Sequence, residues 1–99
     1  MNYMSPERME GEKYSFAGDI WSLGIVLIEL ITGSYPYIES KGFLEMHDQI
    51  NEDDSPNVPL NGHFSPELHD FISICLQKDP SNRYPPARLL AHPWILRYS

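Results

Sequence analysis

Residues 19–30 decide the fold of this chain, and they read Asp19-Ile20-Trp21-Ser22-Leu23-Gly24-Ile25-Val26-Leu27-Ile28-Glu29-Leu30. In a helix of about 3.6 residues per turn, apolar side chains occupy one side and much of the other: Ile20, Leu23, Val26, Leu27, Leu30 and Ile31, then Trp21, Ile25 and Ile28. A helix that is apolar all round is a buried one. The run is too short and too interrupted to cross a bilayer, which needs about 20 apolar residues. The sequence therefore predicts the central buried helix of a helical domain.

The signals on either side of this run set the limits of the central helix. Ser15 is a residue type that caps helix starts, and Gly33 stands where a left-handed cap residue is wanted. The pattern predicts a helix over 16–32. Asp19 lies near its first turn, where a carboxylate suits the helix dipole.

Three further helices are predicted around it. Ser40 is the expected cap of a helix over 41–51, whose inward face would use Phe43, Met46 or His47, and Ile50. Residues 51–63 contain prolines and a glycine and read as an irregular loop. A third helix begins with Ser65 as its cap and Pro66 at its first position.

The third and fourth helices carry their own core residues. An amphipathic stripe runs along the third helix at the spacing of successive turns, and it consists of Leu68, Phe71, Ile72 and Cys75. Residues 86–92 are expected to form a short fourth helix with Leu89 and Leu90, after which Pro93-Trp94-Ile95 docks an aromatic ring on the body of the domain.

The charge limits the partners of this chain. A net charge of −7 argues against nucleic acid or an anionic membrane as the main partner, because both are negatively charged and bind basic protein surfaces. The acidic residues concentrate in 39–54, which is either a solvated helix face and loop or a surface for a basic partner. The single Cys75 excludes an internal disulfide and suits a reducing compartment, and no secretory signal is visible. We expect cytosolic or nuclear residence.

The chain lacks the patterns of catalytic and metal sites. No glycines are spaced as in a phosphate-binding G-x-G loop. Its four histidines form no pattern with metal-ligand spacing. Adjacent His47 and Asp48 are expected to be ordinary exposed helix residues. We therefore expect neither a catalytic residue nor a metal site within residues 1–99.

Four motifs give a more specific indication. They are Met4-Ser5-Pro6-Glu7-Arg8, Asp19-Ile20-Trp21-Ser22-Leu23-Gly24, Asp79-Pro80-x-x-Arg83 and Leu89-Leu90-x-His92-Pro93-Trp94. In this order and spacing the chain resembles the C-terminal half of a eukaryotic protein kinase domain, and the likeness covers nearly all of it. Tyr3-Met4-Ser5-Pro6-Glu7-Arg8 and the stretch from Phe64 to Pro80 are similar to the mitogen-activated protein kinase kinases.

The resemblance implies an all-α fold, the part of the kinase large lobe that contains the F, G, H and I helices. Residues 1–99 would be a partial kinase domain, from the end of the activation segment through the last helix. The N-lobe, the catalytic loop and the metal-binding motif of the family are not found in the sequence. ATP and Mg²⁺ would serve the parent kinase, and we expect no cofactor for the isolated chain.

The resemblance also implies roles for individual residues. Glu7 would pair with Arg83, although sequence alone favours two ordinary surface charges. Tyr3 and Met4 fall in the segment that receives the residue after the phosphoacceptor, and Glu29 matches a position that faces the substrate peptide in some relatives, the alternative being a structural or solvated role. The remaining positions would support the active site: Asp19 as acceptor for the backbone of the catalytic loop, Trp21, and Val26 and Leu30 within a hydrophobic stack.

Two functions follow from the resemblance. The parent enzyme would be a kinase that phosphorylates Ser/Thr and Tyr in a downstream protein kinase, while the isolated chain would be inactive. Alternatively the chain is a non-catalytic binding module that docks a partner kinase through the helix over 41–51. In both cases residues 41–95 would cover one side of the central helix, and the catalytic loop and the helix before it would cover the other side.

Overall fold

The computed structural model describes residues 3–37 and 42–97, and over these residues it contains helices and no strand. The bounds are α1 Pro6–Met9, α2 Phe16–Thr32, α3 Phe43–Glu52, α4 Pro66–Cys75, a 3-10 turn at Pro80–Asn82, α5 Pro86–Leu90 and α6 Pro93–Arg97. The predicted all-α fold is confirmed.

The ends of α2 lie where the flanking residues predicted them. Ser15 is extended (φ −150°, ψ 166°) directly before Phe16, but its hydroxyl makes no capping hydrogen bond. Gly33 has φ 78° and donates its amide to the carbonyl of Glu29 at 2.8 Å. Only glycine adopts that left-handed conformation without strain, so the helix ends there.

One face of α2 is covered, chiefly by α4. Its buried residues are Ile20, Trp21, Gly24, Ile25 and Ile28. A Cβ at Gly24 would lie 2.8 Å from Leu76 Cδ2 and 2.9 Å from Cys75 Cβ, so the two segments approach as closely as glycine permits. On the opposite face Leu23, Val26 and Leu30 are 39%, 36% and 76% exposed. The described residues thus cover one side of α2, as expected.

The register of α3 differs from the prediction at its start. Its N-cap is Gly42, and the predicted cap Ser40 lies outside the described residues. Met46 and Ile50 are buried as predicted, but Phe43 is 50% exposed. The prediction for Phe43 was wrong because the buried part of this face begins one turn further along the helix.

The start and the buried stripe of α4 agree with the sequence pattern. The hydroxyl of Ser65 accepts a hydrogen bond from the amide of Leu68 at 3.1 Å, and the predicted stripe of α4 is buried.

The last two helices are separated by a proline. The predicted helix over 86–92 ends at Leu90, because Pro93 cannot continue it and instead begins α6. Leu89 is buried, and Leu90 is 67% exposed.

Candidate functional site

Glu7 and Arg83 form a buried ion pair between opposite ends of the described chain. Arg83 Nη1 donates to Glu7 Oε2 at 2.7 Å, and Nη2 donates to Glu7 Oε1 at 2.9 Å. Both residues are buried. Parallel N–H···O bonds from one guanidinium to one carboxylate are the strong geometry of this pairing.

The remaining donors of Arg83 are also satisfied. Nε bonds the carbonyl of Gln77 at 2.7 Å, Nη1 that of Ala17 at 2.9 Å and Nη2 that of Lys78 at 3.3 Å. A guanidinium has five N–H groups, and all five are used. The Arg83 guanidinium carbon also lies 5.1 Å from the centre of the Trp21 ring, so this side chain joins α1, the start of α2 and the segment after α4.

The environment keeps Glu7 ionised. Burial alone would raise the pKa of its carboxyl, but the hydrogen bonds and charge of Arg83, with the local backbone, outweigh burial and hold the pKa below its ordinary value. A charged carboxylate paired this closely is stable at neutral pH.

Asp19 lies at the exposed start of α2, where Tyr14 contacts it. The Tyr14 hydroxyl donates to Asp19 Oδ2, and this bond, with the charge of Asp19, raises the pKa of the tyrosine. Sequence reasoning did not single out Tyr14, although its place directly before the cap of α2 brings it within reach of a first-turn side chain. The predicted role of Asp19 toward a catalytic loop stays a prediction.

The predicted substrate-facing residues lie together. Tyr3 donates its hydroxyl to Glu29 Oε1, and Ser22 Oγ donates to the carbonyl of Tyr3 at 2.7 Å. Met4, the next residue, is 39% exposed. The segment before α1 is therefore attached to the side of α2, while its contact with a substrate stays a prediction.

Two tyrosines that sequence reasoning did not single out, Tyr35 and Tyr37, extend this group. The Tyr35 ring meets the Tyr3 ring at 5.7 Å between centroids and 82° between planes, and the Tyr37 ring at 6.0 Å and 67°. The Tyr35 hydroxyl bonds Met46 Sδ at 3.7 Å. The available signal was the pair of tyrosines around Pro36, which reads as a turn.

Val26 and Leu30 lie on the exposed face of α2 and are 36% and 76% exposed. Leu23 lines an apolar cavity of about 250 Å³, whose other lining residues are Ile20, Phe71, Pro86, Leu89, Leu90 and Ile95. The hydrophobic stack predicted for Val26 and Leu30 involves groups that the described residues do not supply.

Within 3–37 and 42–97, no three His, Cys, Asp or Glu side chains converge as a metal ion would require.

In the same ranges no helix has the length and apolar character to cross a membrane.

Comparisons with known proteins identify the class. The model of the protein kinase domain family matches residues 1–95. The chain belongs to the protein kinase family, in agreement with its helical fold and with the Glu7–Arg83 pair.

The similar relatives are more specific. The chain is 47% identical to mitogen-activated protein kinase kinase 3 of Arabidopsis thaliana over 99% of its own length, which is 19% of that protein. It is 45% identical to kinase kinase 2 (98% of the chain, 28% of the relative) and 48% identical to kinase kinase 1 (94% and 28%) of the same plant. It thus spans less than a third of the length of these relatives.

Proposed function

We propose that this chain forms the lower part of the large lobe in a kinase of the mitogen-activated protein kinase kinase type. That enzyme uses ATP and Mg²⁺ to phosphorylate Ser/Thr and Tyr in a downstream protein kinase. The observation that carries the proposal is the likeness to kinase kinases over almost the whole chain. Cytosolic or nuclear residence belongs to the same proposal.

In this proposal the residues of the chain position other groups and do not react. Glu7 and Arg83 hold the end of the activation segment against the last helices, next to Trp21. Tyr3 and Met4 face the substrate, and Glu29 fixes the Tyr3 hydroxyl.

Asp19, Val26 and Leu30 would support the active site from the same helix. Asp19 is exposed at the start of α2 and would accept hydrogen bonds from the backbone of a catalytic loop. Val26 and Leu30 present apolar surface on which further parts of a kinase domain would pack.

Phosphoryl transfer requires a catalytic Asp, groups that hold the metal and a nucleotide cradle. The described residues offer no such set, so the isolated 99-residue chain should neither bind ATP nor transfer phosphate. Isothermal titration with Mg²⁺–ATP tests this directly. Saturable micromolar binding would contradict the proposal.

A chimeric kinase tests the positive part of the proposal. In it, residues 1–99 replace the matching 98-residue stretch of the Arabidopsis kinase kinase 3. We expect this chimera to transfer labelled phosphate to a mitogen-activated protein kinase. The Arabidopsis kinase kinase 3 itself is the positive control, and a chimera that binds ATP but transfers nothing would contradict the proposal.

A second candidate is a non-catalytic module that docks a partner kinase. The observation that favours it is the outer face of α3, where Leu44 is 75% exposed beside the exposed acids Glu45 and Asp48, while Phe43 in the first turn is 50% exposed. A basic segment with an apolar anchor would suit this face.

Competition distinguishes the second candidate. Added 99-residue chain should slow phosphorylation of the substrate kinase by the intact Arabidopsis enzyme, and Leu44→Lys should abolish the effect. The matched control is Leu60→Lys, which changes a leucine that is 89% exposed in the loop after α3. Equal inhibition by both variants would argue against docking through α3.

A further inference from the structure

We propose that Tyr14 is a phosphorylation site, at which a tyrosine-directed protein kinase transfers the γ-phosphoryl group of ATP to the phenolic hydroxyl. The phosphotyrosine then leaves Asp19 and pairs with Arg8. This inference goes beyond the proposed function, because it makes the chain a substrate. Only its consequence for a catalytic loop rests on the proposed role of Asp19.

Tyr14 is more accessible than the other tyrosines of the described residues. Its side chain is 66% exposed, and it lies outside the helices in the run 10–16, in which every residue is exposed. The other described tyrosines are partly or fully buried, and they are Tyr3, Tyr35, Tyr37 and Tyr84. A kinase must seat both the acceptor side chain and the backbone around it in its cleft, so the structure favours Tyr14 as the acceptor.

The contact that holds the Tyr14 hydroxyl is easily released. The hydroxyl donates a hydrogen bond to Asp19 Oδ2, and both residues are exposed. An exposed hydrogen bond exchanges with water at little net cost. A kinase can therefore withdraw the hydroxyl from Asp19 without unfolding α2.

The flanking charges indicate the class of kinase. Glu10 and Glu12 precede Tyr14 by four and two residues, and both are exposed, as is Lys13 between Glu12 and the tyrosine. Two carboxylates against one ammonium leave this approach acidic. A tyrosine-directed kinase with a basic peptide groove has the complementary charge.

The transfer changes the chemistry of the Tyr14 side chain. The phenolic oxygen bonds to the γ-phosphorus, the bond from that phosphorus to the β,γ-bridging oxygen breaks, and ADP leaves. The phenolic proton passes to the catalytic carboxylate of the tyrosine kinase. The product has no hydroxyl donor and carries a charge of about −1.5 to −2 at neutral pH. Asp19 therefore loses its donor and repels the phosphate.

Arg8 offers the phosphate a new partner. Its Nη1 donates to the carbonyl of Glu12 at 2.5 Å, and at most about 7 Å of backbone separates that residue from Tyr14. The arginine is exposed, so its guanidinium can turn to the phosphate, with which it forms charge-assisted hydrogen bonds. Phosphorylation thus moves the tyrosine from the start of α2 to α1. Under the proposed function, Asp19 is then free to accept from the backbone of a catalytic loop.

Phosphorylation of the purified 99-residue chain tests the site. The probe is a tyrosine kinase domain that phosphorylates a poly(Glu,Tyr) polymer, used with Mg²⁺–ATP on a chain carrying Tyr98→Phe, because Tyr98 lies outside the described residues. Mass spectrometry should locate phosphate on Tyr14 at least about tenfold faster than on any other tyrosine, since those must first be exposed by local opening.

Two matched variants complete this test. Tyr14→Phe should remove nearly all incorporation, whereas Tyr84→Phe, which keeps the ring stacked on Arg88, should leave it unchanged. The polymer is the positive control for the kinase. A labelled polymer beside a chain without phosphate on Tyr14, or equal rates at the other tyrosines, would overturn the proposal.

Phosphorus NMR of the phosphorylated chain tests the pairing with Arg8. A nearby guanidinium favours the dianion, so Arg8→Gln should raise the second pKa of the phosphate by about 0.5. The matched control is Arg88→Gln, which changes an exposed arginine stacked on Tyr84 and should leave that pKa unchanged. An unchanged pKa in Arg8→Gln would overturn the pairing. Neither measurement uses kinase activity of this chain, so its failure is distinct from failure of the proposed function.

Discussion

At the scale of single residues, Arg83 joins three separate segments of the fold: α1, the start of α2 and the segment after α4. It satisfies the buried carboxylate of Glu7 and three backbone carbonyls, and its guanidinium faces Trp21. Breaking a buried pair costs more than forming it gains, because the remaining charge keeps its desolvation penalty without a partner.

Arg83→Ala should therefore destabilise the chain by about 3–5 kcal/mol. Urea unfolding followed by tryptophan fluorescence measures the loss. The matched control is Arg88→Ala, which removes an exposed guanidinium stacked on Tyr84 and should cost less than about 1 kcal/mol. Equal losses for the two variants would contradict a buried pair.

The lowered pKa of Glu7 predicts a pH dependence. As pH falls, the unfolded chain takes up the proton near the ordinary pKa of 4.5, before the folded chain does. The stabilisation is therefore complete above that pH and is lost as pH falls through the lower folded pKa. The difference in unfolding free energy between the unchanged chain and Glu7→Gln should narrow below pH 4.5. A difference that widens there would contradict the assignment.

Some of these residues could be predicted from the sequence and others could not. The Glu7–Arg83 pair spans 76 residues, so no local pattern indicates it, and only the kinase resemblance placed the two together. Tyr35 was missed because residues 34–37 have the pattern of a turn. Tyr14 was missed because its contact with Asp19 depends on the direction in which the chain enters α2. Helix caps such as Gly33 and Ser65 were predictable, since the signal lies within a few residues.

At the scale of elements, the contact of α2 with α4 forms the centre of the core. Periodicity predicted both helices and the buried stripe of α4, because local spacing fixes which side chains share a face. Periodicity could not predict which side of α2 is covered, because apolar side chains occupy both sides of this helix. The close approach of α2 to α4 at Gly24 also could not be predicted from the local sequence, because it depends on where Cys75 and Leu76 pack.

Gly24→Ala should destabilise the chain despite the better helix propensity of alanine. The added Cβ meets Cys75 Cβ and Leu76 Cγ at 2.9 Å, and overpacking costs about 1–3 kcal/mol against a gain of about 1 kcal/mol.

The matched control for this change is Gly18→Ala in the same helix. Its new Cβ would lie 3.4 Å from Ser5 Oγ, which is an ordinary contact, so it should be neutral or stabilising. Urea midpoints compare the two variants. A stabilising Gly24→Ala would refute the tight contact.

At the scale of the whole molecule, the chain presents an apolar face. Leu23, Val26 and Leu30 remain accessible on α2, and Leu23 also lines the apolar cavity with Phe71 and Leu89. Contiguous exposed apolar surface marks a place where other protein packs. This agrees with a chain whose matches cover only part of its kinase relatives.

The purified chain should bind a hydrophobic dye through this face. Val26→Thr combined with Leu30→Gln should lower dye fluorescence clearly while leaving the urea midpoint almost unchanged, because both side chains are at least a third exposed. The matched control is Leu60→Gln, which removes an exposed leucine from the loop after α3 and should have little effect. Dye binding that survives the double substitution would point to another site.

The most direct measurement of the central claim is mass spectrometry of a mitogen-activated protein kinase after incubation with the chimeric kinase and Mg²⁺–ATP. We expect phosphate on both a Thr and a Tyr of the substrate's activation loop, at a rate comparable to that of the Arabidopsis kinase kinase 3. A folded chimera that binds ATP but leaves both residues unmodified would contradict it.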